Sequence, residues 1–251
     1  MKYNVCNAKL IKNEEIANGI FDFVMECPLL ANKAQAGQFA HIAVPGKTLR
    51  RPISICDATD TTLRIVFQIK GEGTEILSKT KVGDEIDILA PLGHGFTIPK
   101  DKKIAFVGGG IGVPPMLYSA KQSSNSVAVL GFRNKNAVIL ENDFKKVCEK
   151  VYVTTDDGSY GIHGFTTDIV KNIINDVDLV CACGPTPMLK VLAQICKENN
   201  KPCQVSLEER MGCGIGACLV CACKTLDKDG NIEHSHVCKK GPVYNAEEVV
   251  W

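Results

Sequence analysis

The sequence predicts an α+β multidomain chain of three successive parts: an antiparallel β-barrel, an α/β unit with a parallel sheet, and a small irregular segment. Three observations lead to this prediction. Short strand-like runs fill residues 1–99, strands and helices alternate over residues 100–205, and residues 206–251 are rich in glycine and cysteine. At 251 residues the chain is long enough for more than one core, so we expect three domains with these boundaries.

The barrel is predicted from β-rich runs that glycine, proline and aspartate separate. These runs are QFAHIAVP (38–45), RRPISICDA (50–58), TLRIVFQIK (62–70) and DEIDILAPL (84–92). Many short strands within about a hundred residues are typical of a small antiparallel barrel or sandwich. One helix is expected over residues 73–80, with Thr74 as its N-cap.

The α/β unit is predicted from a regular exchange of apolar strands and helical segments. The strands are KIAFVGGG, SVAVLGF, KVYVTTDD and DLVCACGP, and the helices between and after them are PPMLYSAKQ, VILENDFKKV, FTTDIVKNII and TPMLKVLAQICKEN. Such alternation gives a parallel sheet with helices on both faces.

Charge and hydropathy exclude several classes of function. Lys and Arg number 29 and Asp and Glu 28, a net charge of +1, which provides no electrostatic footprint for nucleic acid or an anionic membrane. The longest apolar stretch, 104–120, is broken by glycines and prolines and is shorter than the roughly 20 residues of a membrane span. Because the N-terminus lacks a signal-like segment, we expect a cytoplasmic protein.

Thirteen cysteines are unusual, and five of them fall within 26 residues near the C-terminus. An odd count without an export signal argues against a disulfide framework. The pattern C-x4-C-x2-C, followed by a fourth cysteine sixteen residues later, has the plant-type spacing of a [2Fe–2S] cluster. The predicted ligands are Cys213, Cys218, Cys221 and Cys238.

The alternative interpretation of these cysteines is a zinc knuckle or a set of buried thiols. Zinc sites usually pair two C-x2–4-C hooks, whereas this hook carries three cysteines and an asymmetric glycine pattern. Cys223 is expected to be a packed neighbour of the ligands, and most of the other eight cysteines small buried side chains.

Two glycine-containing turns at strand ends predict a nucleotide site. In FVGGGIGVPPM (106–116), glycines allow a pyrophosphate to approach the backbone, and the following helix begins with prolines. In CGPTPML (183–189), a second strand of the same sheet ends, and ligands bind at such carboxyl ends. Alone, each turn is also compatible with an ordinary strand-to-helix connection. The predicted cofactor-binding residues here are Gly109, Gly110, Ile111, Gly112, Cys183, Gly184 and Pro185.

Cys183 is the predicted catalytic residue of this site, placed to face the reactive end of a nicotinamide. Gly131, Phe132 and Arg133 follow the second strand, where an acidic residue usually contacts the ribose hydroxyl. The sequence therefore does not decide between NAD and NADP.

In the barrel segment, RRPIS (50–54) and GEGT (71–74) form a second candidate phosphate site. Arg51 supplies a planar fork for phosphate oxygens and Ser54 a hydroxyl donor, while the amides that open the helix at Gly73 would take the same pyrophosphate.

Together, RPxS, GxGT, GGGIGxPP and CGPxPM occur in the order typical of the ferredoxin-NADP reductase superfamily. Over nearly the whole chain, segments such as RRPISICDA, TTDDGSYGIHGFTTD and LEERMGCGIGACLVC resemble the electron-transfer subunits of class 1B dihydroorotate dehydrogenases. This resemblance implies FAD on the barrel, NAD(H) on the α/β unit and a [2Fe–2S] cluster at the C-terminus. It implies contacts to FAD from Arg51, Pro52, Ile53, Ser54, Val66, Phe67, Gln68, Gly73 and Thr74.

The resemblance further implies an oxidoreductase subunit of pyrimidine (UMP) biosynthesis. Its partner would be an FMN-containing catalytic subunit that oxidises dihydroorotate to orotate, in a heterotetramer of two plus two chains, with NAD⁺ as the final acceptor. Met211 and Leu219, near the cluster cysteines, are expected to contact that partner or to cover the cluster.

Three other functions stay open at this stage. The same modules occur in NAD(P)H-ferredoxin reductases and in hydrogenase or sulfide dehydrogenase flavoprotein subunits. A redox sensor or zinc-binding module would hold no flavin, and a self-sufficient NADH oxidase would turn over an organic substrate without a partner.

Overall fold

The N-terminal part of the chain folds into a closed six-stranded barrel in this computed structural model, which describes residues 4–251. All neighbouring strands are antiparallel, in the order β1-β2-β5-β4-β3-β6. The elements are β1 Asn4–Ala17, β2 Ile20–Glu26, α1 Pro28–Ala31, β3 Phe39–Ile42, β4 Arg51–Ala58, β5 Thr62–Gln68, α2 Glu72–Ser78 and β6 Glu85–Leu92.

The two faces of β3 and β4 contact different parts of the molecule. Ala40 of β3 lies opposite Ile53 of β4, and both belong to the core inside the barrel. The alternate residues face outward, because successive side chains of a strand point to opposite sides. Outward-facing Phe39 therefore packs into a second core, formed with residues from the α/β unit and the C-terminal segment.

The second part is the predicted parallel sheet with its helices. The sheet has seven strands in the order β10-β9-β8-β7-β11-β12-β15, where β15 is Val243–Asn245 of the C-terminal segment, and every pair except the last is parallel. Its elements are β7 Ile104–Gly109, α3 Val113–Lys121, β8 Ser126–Phe132, α4 Glu141–Lys145, β9 Lys150–Thr155, β10 Ile162–His163, α5 Thr166–Ile173, β11 Leu179–Cys183, α6 Thr186–Glu198 and β12 Cys203–Ser206. The predicted fold class, a barrel joined to a parallel-sheet unit, is confirmed.

The C-terminal segment, expected to be irregular, also contains short strands: β13 Ala222–Leu226, β14 Ile232–His236 and β15 Val243–Asn245. β13 and β14 form a hairpin, and β15 pairs antiparallel with β12 at the edge of the sheet. Residues 207–221, all of which the structure describes, form neither helix nor strand and carry three of the four predicted cluster cysteines.

Helix α3 joins the barrel to the α/β unit. Its Met116 and Leu117 pack in one core with Cys56 of β4 and Val66 of β5. In addition, the Tyr118 hydroxyl donates to the carbonyl of Ala34, 3.1 Å away. The barrel strand that carries the RPIS motif is thus held directly beside the helix that follows the glycine-rich turn.

A second connection passes through Arg64 of β5. Its guanidinium binds both oxygens of the fully buried Asp22, at 2.8 and 3.1 Å, and also reaches Asp143 of α4 at 3.0 Å. These hydrogen bonds raise the pKa of Arg64 although burial acts to lower it. Among residues 4–251, no helix is both long and apolar enough to cross a membrane.

Candidate functional site

At the start of β4, the barrel motif brings Arg51 against the first turn of α2. The Arg51 guanidinium lies so close to Gly73 that a Cβ at this glycine would overlap it. Its Nη1 donates to the carbonyl of Leu49 at 2.5 Å. A charged fork beside the free amides of a helix start is a suitable arrangement for phosphate oxygens.

Thr74 has a different local role from the one predicted. Helix α2 begins at Glu72 with Gly71 as its N-cap, so Thr74 lies in the first turn. Its Oγ1 accepts hydrogen bonds from the amides of Lys70 and Gly71, at 2.9 and 3.3 Å. The prediction of Thr74 as the N-cap is therefore wrong: the loop amides bond to the third helical residue instead.

The other predicted flavin residues divide between two environments. Pro52 and Ser54 are half-buried on the outward face of β4, whereas Ile53 belongs to the core inside the barrel. The Phe67 ring also lies in that core, edge-on to Phe23 with ring centres 4.9 Å apart. Phe67 can consequently offer a bound group only its backbone.

Val66 and Gln68, which flank Phe67 on β5, lie on the opposite side of that strand. Val66 is buried against α3, and Gln68 is exposed at the strand end. Of these three β5 residues, Gln68 has the side chain most accessible to a ligand.

The two predicted nucleotide turns meet at the carboxyl ends of β7 and β11, which are neighbouring strands. A Cβ on Gly112 would overlap the carbonyl of Cys183, and one on Gly109 would come within 2.7 Å of Met188 Sδ. Gly184 has φ +158 and also faces Met188. These glycines are therefore required for the close approach of the two turns.

Gly110 and Ile111 form the accessible part of this site. Gly110 is exposed, has φ +55, and nothing lies within 4 Å of the place where its Cβ would be. Helix α3 follows with Pro114 and Pro115 in its first turn. The turn therefore presents an open backbone surface of the kind that accommodates a pyrophosphate.

Cys183 ends β11, and Pro185 is the N-cap of α6. Burial raises the pKa of the Cys183 thiol to about 12, against a lowering by the Ser206 hydroxyl. A thiol of this kind is uncharged at neutral pH, so Cys183 can contact a ligand as a small polarizable group rather than act as a nucleophilic thiolate.

The four predicted cluster cysteines form two pairs. Cys221 Sγ lies 3.3 Å from Cys238 Sγ, and Cys218 lies against Cys213, with its backbone amide donating to Cys213 Sγ at 3.4 Å. Among residues 4–251, no three His, Cys, Asp or Glu side chains surround a single ion position. Two pairs of thiols fit a [2Fe–2S] cluster, which takes two protein ligands on each iron.

Backbone amides point at these sulfurs. Cys213 Sγ accepts from the amides of Ile215, Ala217 and Cys218 at 3.4, 3.2 and 3.4 Å, and Cys238 Sγ accepts from Gly216 at 3.1 Å. Although burial acts to raise it, these donors and the Cys218 thiol lower the pKa of the Cys213 thiol to about 6. The loop therefore favours thiolate at Cys213, the form that ligates iron.

The Cys223 side chain, two residues beyond Cys221, contacts Tyr244. Its Sγ contacts the Tyr244 hydroxyl at 3.8 Å, and that hydroxyl also lies 2.9 Å from the Ser235 Oγ. Cys223 is therefore a suitable control position for substitutions of the four paired cysteines.

The sequence does not single out His41. This residue lies where the cluster loop, residues 207–221, meets the barrel. His41 is on β3 directly opposite Pro52, is wholly buried, and faces Gly214 of the loop. Burial, with the charges of Arg50 and Arg51, lowers its pKa to about 4. The available signal was a histidine within the apolar run QFAHIAVP, which by itself indicates only a buried polar residue.

Comparison with known proteins agrees with this geometry. Residues 208–250 match the family described as the iron–sulfur cluster binding domain of dihydroorotate dehydrogenase B. The electron transfer subunit of dihydroorotate dehydrogenase B (NAD(+)) from Caldanaerobacter subterraneus subsp. tengcongensis is 42% identical, over 97% of this chain and 98% of its own. The protein of that name from Geobacillus thermodenitrificans is 40% identical over 96% of each chain. The chain belongs to the family of dihydroorotate dehydrogenase B electron transfer subunits.

Solved structures extend the comparison. A structure titled for the NADH-dependent reduced ferredoxin-NADP oxidoreductase has a TM-score of 0.87 and 32% identity, and the match covers 98% of this chain and 90% of that one. The ferredoxin reductase of carbazole 1,9a-dioxygenase has a TM-score of 0.68 at 19% identity, covering 80% of this chain and 68% of that one, which shows a shared fold.

Proposed function

We propose that this chain transfers electrons between NAD and an FMN-containing catalytic subunit that oxidises dihydroorotate to orotate in UMP biosynthesis. The observation that carries the proposal is the contact between the cluster loop and β3, the strand paired with the RPIS motif of β4. A candidate cluster site and a candidate flavin site are thereby adjacent in one chain. The names of its relatives supply the NAD(+) and the dehydrogenase.

The barrel residues would hold FAD. Arg51, Gly73 and Thr74 would bind its diphosphate, while Pro52, Ser54 and Gln68 would line the ring and the ribityl chain. Ile53, Val66 and Phe67 would support that surface from behind, because their side chains are buried. When bound, a flavin exchanges two electrons with a nicotinamide and single electrons with an iron–sulfur cluster.

The turns after β7 and β11 would hold NAD(H). Gly109, Gly110, Ile111 and Gly112 would present their backbone to the pyrophosphate at the start of α3. Cys183 would face the nicotinamide, with Gly184 and Pro185 shaping the turn beneath it. The uncharged thiol suits a contact with an apolar ring edge.

The paired cysteines would hold the [2Fe–2S] cluster, with Cys213 and Cys218 on one iron and Cys221 and Cys238 on the other. The amides of the loop would stay directed at the thiolates and stabilise their charge. We propose three domains: a barrel domain (1–99), a nucleotide domain (100–205) and a cluster domain (206–251). Strand β15 of the cluster domain pairs with β12 of the nucleotide domain.

The partner would meet the chain at the cluster loop. Leu219 and Val220 are 76% and 56% exposed there, close in sequence to the half-buried Met211. Exposed apolar side chains beside an electron exit suit a protein interface. We propose a cytoplasmic heterotetramer of two such chains and two catalytic subunits.

A reductase of the ferredoxin-NADP type is the second candidate. The observation favouring it is the 0.87 TM-score to the ferredoxin-NADP oxidoreductase structure. Reduction of ferredoxin without any FMN partner would favour this alternative.

The deciding experiment uses purified protein with its native partner. We expect flavin and iron–sulfur absorbance, and NAD⁺ reduction by dihydroorotate in the complex. Cys218→Ser should abolish that coupling and the cluster signal while NADH-to-dye reduction is largely retained. Cys223→Ser, in the same segment, is the matched control and should keep both. A colourless protein, or loss of dye reduction in Cys218→Ser with FAD still bound, would contradict the proposal.

A further inference from the structure

The imidazole of His41 is a buried polar group without a well-aligned hydrogen-bond partner among the described residues. Its exposure is 0%, and neither Nδ1 nor Nε2 makes a hydrogen bond of normal geometry among residues 4–251, although backbone groups of Arg50 and Cys213 lie near enough to act on its pKa. Buried polar groups in proteins almost always have a hydrogen-bond partner. An imidazole carries at least one N–H donor, and the backbone groups near this ring do not meet it with normal hydrogen-bond geometry, so the ring has room for a better-aligned acceptor.

The position of the ring indicates where that acceptor lies. A Cβ on Gly214 would come within 2.6 Å of His41 Nδ1, so the cluster loop packs directly on the imidazole. On the barrel side, His41 is opposite Pro52, and directly opposed residues of an antiparallel pair share one face. The ring therefore lies between the face proposed for the flavin and the loop proposed for the cluster.

The backbone around His41 keeps the ring in this place. Arg50 Nη1 donates to the His41 carbonyl at 3.3 Å, and Arg50 Nη2 binds Asp87 Oδ2 at 2.7 Å. Gly214 has φ +73, which favours glycine and leaves no side chain between the loop and the imidazole.

We propose that His41 donates a hydrogen bond to an acceptor atom of the redox group bound at this junction and raises that group's reduction potential. The acceptor is a sulfur of the cluster or a ring oxygen or nitrogen of the flavin. Either one gains negative charge on reduction, and a fixed donor stabilises the more negative form. This inference rests on the proposed function, because it requires both groups to be bound.

The test removes the donor and then restores it. His41→Leu removes the N–H, whereas His41→Asn and His41→Gln place an amide N–H near the positions of Nδ1 and Nε2. Phe39→Leu is the packing control, since Phe39 is buried on the same face of β3 and has no polar side-chain atom. FAD and iron contents are measured for every protein. The cluster potential is followed by electron paramagnetic resonance and the flavin potential by absorbance.

We expect His41→Leu to lower one of the two potentials, and the identity of that group distinguishes a cluster acceptor from a flavin acceptor. A tenfold lower ratio of reduced to oxidised group at fixed ambient potential would be a shift of about 59 mV for a one-electron couple. His41→Asn or His41→Gln should restore most of the lost reduction potential, and Phe39→Leu should shift neither potential.

The proposal is overturned if His41→Leu leaves both potentials unchanged, or if Phe39→Leu shifts them equally. Should His41→Leu fail to fold or lose a group, the two amide variants decide. A reduction potential near the wild-type value in one amide variant and below it in the other supports the proposal. Equal reduction potentials in the two amide variants overturn it. Wild-type protein that lacks flavin or iron would instead refute the proposed function.

Discussion

The guanidinium of Arg51 on β4 lies against the backbone of Gly73 in the first turn of α2, where any Cβ would overlap it. This contact places the two barrel motifs side by side and supports the proposal that they form one anion-binding surface. Neither motif would form such a surface alone, because the arginine would supply the charge and the helix start the amides.

Replacing Arg51 with Ala should weaken FAD binding by about 10- to 100-fold, since a charge-assisted hydrogen bond contributes about 1.5–3 kcal/mol. Arg51→Lys should recover part of this loss, because it keeps the charge without the planar fork. FAD content after dialysis and calorimetric affinity are the measurements. Arg50→Ala is the control: Arg50 binds Asp87 instead, so its loss should leave FAD content unchanged. Equal FAD loss in both alanine variants would contradict the assignment.

Gly112→Ala should impair the nucleotide site without affecting the other two. The added methyl would overlap the Cys183 carbonyl and push apart the turns after β7 and β11, at a cost of about 1–3 kcal/mol. We expect a KM for NADH at least fivefold higher in dye reduction, with flavin and cluster spectra retained. Gly230→Ala, in the turn between β13 and β14, is the control for strain alone: Gly230 has φ +81 and no atom near its Cβ position, so this variant should lose stability without a change in KM. An unchanged KM for the Gly112 variant would show that the two turns do not form one site.

Arg64→Met should destabilise the whole chain, because fully buried Asp22 would keep Lys12 as its only remaining cationic partner among the described residues. Breaking a buried ion pair costs about 3 kcal/mol, and 1 kcal/mol lowers the midpoint of thermal unfolding by about 2–4 °C in a chain of this size. Asp143→Asn, which removes only the half-buried arm of the network, should cost less than about 1 kcal/mol. Equal midpoints for the two variants would indicate that the pair with Asp22 contributes little.

The sequence predicts the α/β unit best, because its strands are apolar and its helices follow at regular intervals. The helix expected from residue 138 begins instead at Glu141, since Leu140 adopts φ +60 and interrupts it. The strands β1 and β2 were not identified individually. β1 is long, but many of its side chains are exposed and it lacks a continuous apolar alternation. β15 could not be foreseen either, because three residues that complete a distant sheet edge carry no local pattern.

The candidate site was predictable where function depends on residue type and spacing. Four cysteines at fixed intervals and glycines at strand ends are visible in the sequence, and the structure brings each set together. The environment of a side chain is not visible in this way. That Phe67 faces the barrel interior depends on strand register, and that His41 meets Gly214 depends on packing between residues far apart in the chain.

The exposed apolar side chains of the cluster loop predict where the catalytic subunit binds. Leu219 is 76% exposed, and we expect Leu219→Asp to weaken the complex with the catalytic subunit by at least fivefold, because a charge would be buried where an apolar contact forms. FAD content, cluster spectrum and dye reduction should be unchanged, since the Leu219 side chain belongs to none of the three hydrophobic cores. Ile232→Asp is the matched control, a 61% exposed apolar residue on β14. Calorimetric titration with the purified catalytic subunit measures both. If the two aspartate variants bind the partner equally well, the interface lies elsewhere on the chain.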